Sequence, residues 1–330
     1  MTIACPEALS LFKRFADDED AAYAAYLVQY REKELSRESS KRKGSVRMRA
    51  ALDWKPDDLK GKNVLVIGED GLGDEILTIG CLEALLPYCK TVAWRCDPKL
   101  QPLFQESFPE VRFMTDHGPD HGADVVIHSW QLIERFRPSL HEFAWTASGQ
   151  FTPYLKPGKR DRDENRKPRV GLAWNSDGKK GKSCDIDTVP GWEEFFRKHR
   201  DRADFISLQY GATRDAIQAV RNRYGIEVFQ DPDVDTLNDL RGLAAQIATL
   251  DYVVGISTAA THLAGALGVP GWVMLPDEPF LHWDAGTHIC VWYPTLVPVR
   301  HSGDWDSTVE QVTEQLLSRL IDAKPANNHE

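Results

Sequence analysis

The sequence has few cysteines, no cysteine pair at metal-ligand spacing and no long apolar run. Its 330 residues contain 6 cysteines, none of them in a C-x-x-C pair, so neither a disulfide framework nor a zinc ribbon is indicated. No apolar run reaches the ~18–20 residues that a membrane-spanning helix needs. The N-terminus also lacks the basic, apolar and small-residue order of a signal peptide. These absences predict a cytoplasmic protein with reduced thiols.

The sequence also has no excess of basic residues. The 50 Asp and Glu residues outnumber the 40 Lys and Arg residues, and the net charge of -10 argues against a surface built to bind nucleic acid. No metal site is indicated, because the Gly-Pro pair between His117 and His121 prevents the helix that would direct both side chains at one ion. Hydrophobic residues make up 42% of the chain, which is enough for a globular core.

Short apolar runs, many of them β-branched, recur along the chain with helical segments between them. Strands that alternate with helices predict an α/β fold with parallel sheets covered on both faces. Ligands of such sheets bind at the carboxyl ends of the strands, so we expect functional residues in the loops after Ile67, Trp174, Gln209 and Ile256. The predicted strands are 64–67, 91–94, 124–128, 170–174, 205–209, 228–229, 252–256 and 272–275.

The alternation is interrupted at 145–168, where glycine, proline and charged residues cluster. This linker predicts two doubly wound halves that face each other across a cleft. The C-terminal segment has the pattern of a capped amphipathic helix. The predicted parts are a helical basic extension (1–50), an N-terminal Rossmann-like domain (51–155), a C-terminal Rossmann-like domain (156–305) and a C-terminal helix and tail (306–330).

The stretch 31–49 carries most of the basic charge near the N-terminus, with eight Lys and Arg residues against three Glu residues. Two interpretations stand beside each other. One is a solvated helix face and flexible connector, and the other is a docking surface for an anionic acceptor or for the inner face of a membrane.

The first motif is GEDGLGDEI at 68–76, between a predicted strand and a predicted helix. Its glycines allow a tight turn and a close approach of a ligand to the helix N-terminus. The spacing is G-x-x-G-x-G rather than the dinucleotide pattern G-x-G-x-x-G, although Asp97 could imitate the ribose-binding acid, so an NAD-dependent oxidoreductase is kept as an alternative. Asp74 and Glu75 are either charge complements of the helix N-terminus or catalytic groups.

The second motif is SDGKKGKS at 176–183, which follows the strand ending in Trp174. It lacks the first glycine of a Walker loop, and Pro190 delays the helix that such a loop would enter, so a P-loop is rejected. What remains is a flexible loop whose Lys179, Lys180 and Lys182 either meet a diphosphate or are solvated charge.

The third motif is DYVVGISTAATHLAGALGVP at 251–270. A buried strand ends at Ile256, and Ser257 or Thr258 caps a helix of small residues on whose amides a phosphate could lie. His262 could donate to that anion. The alternative is a tightly packed strand and helix with a core histidine.

Together with CDPKLQPLFQESFP, VGLAW, SLQYG, WYPT and GDW, these motifs resemble glycosyltransferase family 9 in colinear order over about residues 60–320. The resemblance is greatest to the heptosyltransferase-like catalytic domain often found behind tetratricopeptide repeats. It implies the GT-B architecture of two Rossmann-like domains, with the acceptor in the first and the donor in the second. It also implies an inverting transfer of a sugar from a nucleoside-diphosphate sugar to an acceptor hydroxyl, with no metal or other cofactor.

By the family pattern, Asp74 is the general base of the transfer. The acceptor would be a glycan, a lipid-linked glycan or a protein. Ser257 stands where heptosyltransferases usually carry Asp, so either the sugar differs from ADP-heptose or catalysis is weakened, and a non-catalytic nucleotide-sugar or glycan-binding protein is the alternative. The implied acceptor-side residues are Gly71, Leu72, Gly73 and His128, and the implied donor-binding residues are Trp174, Asn175, Lys180, Lys182, Gln209, Tyr210, Ser257, Thr258, Ala259, Thr261 and His262.

Overall fold

The computed structural model describes residues 2–41, 53–68, 71–116, 118, 122–158, 160, 166–176, 184–211, 213–276, 282–283, 289–301 and 303–322. The chain divides into two compact units. The first comprises Met1–Pro157, Ala266–Gly268 and Leu281–Pro294, and the second comprises Gly158–Gly265, Val269–Phe280 and Thr295–Glu330.

The first unit is built around a parallel sheet of four strands in the order β4-β3-β2-β5, with a short antiparallel pair of β1 and β6 beside it. The strands are β1 (Ile3–Ala4), β2 (Asn63–Ile67), β3 (Thr91–Arg95), β4 (Arg112–Met114), β5 (Val125–His128) and β6 (Gln150–Phe151). The α-helices are α1 (Pro6–Lys41), α2 (Leu72–Thr78), α3 (Leu82–Leu85), α4 (Gln101–Ser107), α5 (Ser129–Phe136) and α6 (Ala144–Ser148), and 3-10 turns lie at Pro56–Leu59, Ile79–Cys81, Leu86–Tyr88 and Leu140–Glu142.

The helix α1 contributes aromatic side chains to the core of this unit. Phe12, Tyr23, Tyr26 and Tyr30 of α1 are buried, and the Tyr23 hydroxyl donates to the main-chain oxygen of Arg137 at 3.0 Å. The predicted N-terminal helix is therefore present over 6–41, and one side of it packs against the rest of the unit. Residues 42–49 of the basic stretch lie outside the described part of the chain.

The second unit contains a parallel sheet in the order β12-β11-β10-β7-β8-β9. The order reverses direction at β7, as in doubly wound folds. The strands are β7 (Arg169–Ala173), β8 (Asp204–Ser207), β9 (Val228–Phe229), β10 (Tyr252–Ile256), β11 (Gly271–Leu275) and β12 (Leu296–Arg300), and the helices are α7 (Gly191–His199), α8 (Arg214–Tyr224), α9 (Leu240–Ile247), α10 (Ala259–Leu267) and α11 (Trp305–Asp322).

Helices pack on this sheet through apolar faces that the sequence spacing creates. The predicted C-terminal helix, α11, buries Val309, Val312, Leu316 and Leu320, which share one helical face. It packs beside α7, whose Trp192, Phe195 and Phe196 join the same core cluster. Burial of such side chains contributes about 1.5–3 kcal/mol each to the free energy of unfolding.

The predicted α/β fold with parallel sheets is confirmed. Every predicted strand is present, although the strand predicted at 205–209 is Asp204–Ser207 in the structure, and the sequence did not predict β1, β4, β6 or β12. In the described ranges, no helix combines the length and the apolarity needed to cross a bilayer. The predicted domain boundaries remain predictions.

Candidate functional site

Gly68, the first glycine of the motif after β2, contacts the loop after β3. The Gly68 amide donates to the main-chain oxygen of Arg95 at 2.8 Å, across the carboxyl ends of β2 and β3. A Cβ at Gly68 would lie 2.7 Å from that oxygen and 2.9 Å from the Glu75 carboxyl group. The first glycine of the motif is therefore required by the contact between two loops.

Asp74 lies in the first turn of α2, with its carboxylate beside the N-cap residue Gly71. A Cβ at Gly71 would lie 2.8 Å from Oδ2 of Asp74. The residue is half-buried, and the amide ends of the first turn favour its negative charge. This position suits both predicted roles, charge complement of the helix and proton acceptor.

Glu75, the adjacent acid, has a different environment. It is 3% exposed, and its two carboxylate oxygens lie 3.1 and 3.2 Å from the amide of Asp97, which donates to them. Glu75 therefore ties α2 to the loop after β3. The sequence carried a signal for this, because Glu75 lies four residues before the buried Ile79 and seven before the buried Leu82, on the apolar face of the segment.

Asp97 accepts hydrogen bonds from two residues of its own loop. Its Oδ1 accepts a hydrogen bond from the Lys99 amide at 2.8 Å, and its main-chain oxygen accepts one from Leu100 at 3.0 Å. These contacts are those of an Asx turn that leads toward α4.

His128 ends β5 and lies opposite Ile67 in the register of the sheet. Its amide donates to Oε1 of Gln131 at 2.8 Å, which caps α5, and its ring stacks near Trp130 at 6.5 Å between centroids. The predicted acceptor-side residues Gly71, Leu72, Gly73 and His128 thus lie after neighbouring strands, at the carboxyl edge of the first unit's sheet.

In the second unit, Gln209 joins the loops after β7 and β8. Its Oε1 accepts from the amides of Trp174 and Asn175 at 2.9 and 2.8 Å, and its Nε2 donates to the main-chain oxygens of Asn175 and Tyr210 at 2.9 and 3.2 Å. The side chain is 3% exposed. All four contacts are to the main chain, so Gln209 holds the two loops in place.

Hydrogen bonds join the residues on either side of the predicted lysine loop. The Cys184 amide donates to the main-chain oxygen of Trp174 at 2.8 Å, and Nδ2 of Asn175 donates to Oδ1 of Asp185 at 2.7 Å. Trp174 packs its ring in the core at 2% exposure, and Tyr210 is half-buried. The predicted donor-binding residues Lys180 and Lys182 lie outside the described residues, as do His117 and His121.

The start of α10 is built by the hydroxyl group of Thr261. This fully buried hydroxyl accepts from the Thr258 amide at 3.0 Å and lies 3.0 and 2.8 Å from the main-chain oxygens of Ile256 and Thr258, to which it can donate. The contacts close the turn between β10 and α10. Gly255 permits the close packing beneath it, because a Cβ there would lie 3.0 Å from Cγ2 of Thr261.

The hydroxyl group of Thr258, one residue before α10, differs from that of Thr261 in its hydrogen bonding. Thr258 is 9% exposed, and its hydroxyl group is buried without a hydrogen-bond partner among the described residues. A buried polar group without a hydrogen-bond partner costs about 1–3 kcal/mol. His262, whose amide donates to the Thr258 oxygen at 3.1 Å, is 3% exposed in the next turn, and Ser257 and Ala259 are half-buried.

The structure therefore brings Thr258, Thr261 and His262 together at the start of α10. Asn175 and Gln209 follow the neighbouring strands β7 and β8. The Asp74 loop is a separate group in the first unit. Across the described ranges, no three His, Cys, Asp or Glu side chains are grouped as a metal site would require.

No family model matches the sequence. Among curated proteins, the chain is similar to Protein FlbA of Caulobacter vibrioides, with 28% identity over 297 residues that cover 80% of this chain and 48% of FlbA. The chain therefore spans about half the length of this relative.

Among solved structures, the chain is similar to the heptosyltransferase WaaC of E. coli. WaaC with ADP-2-deoxy-2-fluoro heptose matches with a TM-score of 0.51 and 13% identity, covering 78% of this chain and 99% of WaaC. WaaC with ADP matches with a TM-score of 0.50 and 13% identity, covering 79% and 98%. The chain thus has the GT-B fold of two Rossmann-like units that the family resemblance implied.

Proposed function

We propose that this protein is an inverting, metal-independent glycosyltransferase that moves a sugar from a nucleoside-diphosphate sugar to an acceptor hydroxyl. The observation that carries the proposal is the start of α10, where the buried Thr258 hydroxyl has no partner among the described residues and can therefore donate to a polar ligand. The fold shared with WaaC supports a nucleotide sugar as that ligand, because the two WaaC structures are of complexes with ADP and with ADP-2-deoxy-2-fluoro heptose.

The donor diphosphate would lie on the first turn of α10. The unsatisfied amides of a helix N-terminus and its dipole favour an anion there. Ala259 and Ala260 are small enough to let phosphate oxygens approach the backbone. The Thr258 hydroxyl would donate to one of these oxygens, and the His262 side chain would donate to another. Lys180 and Lys182 would add positive charge from the loop closed by Trp174 and Cys184.

Asp74 would act as the general base. Its carboxylate accepts the proton of the acceptor hydroxyl while the hydroxyl oxygen bonds to the anomeric carbon. The bond from that carbon to the diphosphate breaks on the opposite side, and its electron pair leaves with the phosphate oxygen. An ordinary carboxylate suffices, because the hydroxyl acidifies as the new bond forms and positioning then decides the rate.

Asp74 is assigned this role rather than Glu75 because their environments differ. The Glu75 carboxylate is buried and accepts a hydrogen bond from the Asp97 amide, so it holds α2 against the loop after β3. Asp74 is half-buried at the loop surface. The departing diphosphate gains negative charge, which the α10 N-terminus, Thr258 and His262 would stabilise.

We further propose that the acceptor hydroxyl belongs to a glycan, a lipid-linked glycan or a protein, and that Gly71, Leu72, Gly73 and His128 contact it. The protein would work in the cytoplasm, with contact to the inner face of the membrane through 31–49. Ser257 in place of the heptosyltransferase Asp removes a negative charge beside the diphosphate, so the donor sugar need not be a heptose.

A donor panel tests the proposal. ADP-, GDP-, UDP- and dTDP-sugars are screened by thermal shift, since a ligand that binds only the folded state stabilises it in proportion to its occupancy. The stabilising donor is then assayed for sugar transfer and for release of the nucleoside diphosphate. Asp74→Asn should lower turnover by about 10²–10⁴-fold, the range for a general base, with donor affinity retained.

Asp53→Asn is the matched control, because Asp53 is an exposed aspartate of the same unit. It should transfer sugar at the wild-type rate. Unchanged turnover in Asp74→Asn would reject the base assignment. Donor binding without transfer or hydrolysis would favour the non-catalytic alternative, and a protein that binds none of the four donors but binds NAD would favour the oxidoreductase.

A further inference from the structure

Tyr154 reaches from the segment after β6 to the helix that carries Asp74. Its hydroxyl donates to the main-chain oxygen of Ile76 at 2.9 Å, and Ile76 lies two residues beyond Asp74 in α2. This helix has only seven residues and tightens into a 3-10 turn at Ile79–Cys81. A helix this short has few hydrogen bonds of its own, so contacts from elsewhere must hold its position.

The main chain and ring of Tyr154 are both held in place. The amides of Tyr154 and Leu155 donate to the main-chain oxygen of Ala266 at 3.2 and 3.5 Å. The ring lies against Gly80, where a Cβ would be 3.0 Å from Cε1 and 3.1 Å from Cζ. A side chain at position 80 would push the ring away, so glycine there is what allows the hydroxyl to reach Ile76.

A second buried tyrosine, Tyr293, lies next to this hydroxyl. The two tyrosine oxygens are 3.5 Å apart. Tyr154 has one hydroxyl hydrogen, and it donates this to the main-chain oxygen of Ile76, which is the nearer of the two oxygens. In a hydrogen bond between the two tyrosine hydroxyls, the donor is therefore Tyr293. Burial raises the pKa of both tyrosines well above the ordinary value, and the negative charge of Asp74 is among the smaller causes at Tyr293. Both side chains therefore keep their protons at neutral pH.

We infer that Tyr154, supported by Tyr293, is a positioning residue that sets where α2 holds the Asp74 carboxylate. This rests on the proposed function, in which Asp74 is the general base. The Ile76 oxygen is fixed by Tyr154, and less than one helical turn separates Ile76 from Asp74, so a shift of one is transmitted to the other. A displacement of about 1 Å at a reacting group can lower a rate about 10²-fold.

The test compares Tyr154→Phe with Tyr23→Phe. Both changes remove a tyrosine hydroxyl that donates to a main-chain oxygen in the first unit, at 2.9 Å to Ile76 and at 3.0 Å to Arg137. Tyr154→Phe should lower kcat by about 10–100-fold while KM for the donor stays within about twofold. Tyr23→Phe should leave both unchanged. Equal effects on kcat in the two variants would overturn the inference, because they would indicate general loss of stability.

Hydrogen exchange supplies a readout that needs no activity. In Tyr154→Phe, the amides of residues 72–81 should exchange several-fold faster, and in Tyr23→Phe they should exchange as in the wild type. Faster exchange with unchanged kcat, or lower kcat with unchanged exchange, would overturn the positioning role. If Asp74→Asn keeps full activity, the proposed base fails, and exchange in 72–81 still decides whether Tyr154 anchors α2.

Discussion

Replacing Thr258 by Val should stabilise the protein without ligand and weaken its binding to nucleotide. Valine has nearly the shape of threonine, so packing is kept and only the hydroxyl is removed. In the free protein this hydroxyl is buried without a partner among the described residues, which costs about 1–3 kcal/mol. We expect the variant to regain about 1 kcal/mol, which raises Tm by about 1–2 °C in a protein of 330 residues.

The effect on nucleotide binding should have the opposite sign. In the proposed complex the Thr258 hydroxyl donates to a charged phosphate oxygen, and such a hydrogen bond contributes about 1.5–3 kcal/mol. Its loss should raise the Kd of the nucleoside diphosphate by about 10–100-fold. Thermal unfolding without ligand and isothermal titration with the diphosphate of the best donor measure the two effects separately.

Thr261→Val, three residues further along the same motif, is the matched control. Its hydroxyl lies within 3.0 Å of one main-chain amide and of two main-chain oxygens, so its removal should destabilise the free protein by about 1–3 kcal/mol. A Thr258→Val variant that is also destabilised, and that binds the diphosphate with wild-type affinity, would refute the assignment of this hydroxyl to the ligand.

Two further predictions concern the second unit. Gln209→Leu should lower the free energy of unfolding by about 3 kcal/mol, because four main-chain groups of two loops lose their hydrogen-bond partner. Urea unfolding measures this change, and a loss below about 1 kcal/mol would contradict the role of Gln209 in holding the two loops together. Burial lowers the pKa of His199 below its ordinary value of 6.5, so the unfolded state binds a proton more readily than the folded state as the pH falls through that value. Stability should therefore decrease as the pH is lowered below about 6.5, and His199→Gln should remove that part of the decrease in urea titrations.

The α/β architecture could be predicted from sequence because parallel strands buried on both faces are continuous apolar runs. The runs at β2, β7 and β10 stand out for this reason. The strand β12 did not, since Pro298 interrupts its pattern. The structure puts β12 at the edge of the sheet, where a residue without an amide hydrogen is tolerated.

The packing of segment 281–294 could not be predicted from its position in the chain. It follows β11 of the second unit, yet it belongs to the first. Nε1 of Trp145 donates to the Val291 oxygen at 2.7 Å, and the rings of Phe143 and Trp292 meet at 4.9 Å between centroids. These partners are far apart in sequence, so no local pattern reports them.

By itself, the sequence determined the alternation of strands and helices and the loops in which polar and small residues gather, because both depend on local spacing. Only the tertiary structure distinguished Asp74 from Glu75 and Thr258 from Thr261. Adjacent acids and nearby threonines have the same chemistry, and their roles differ by which atoms the fold brings within 3 Å. For Glu75 and Thr261 those atoms are main-chain groups of the protein, whereas for Thr258 no such atom lies among the described residues.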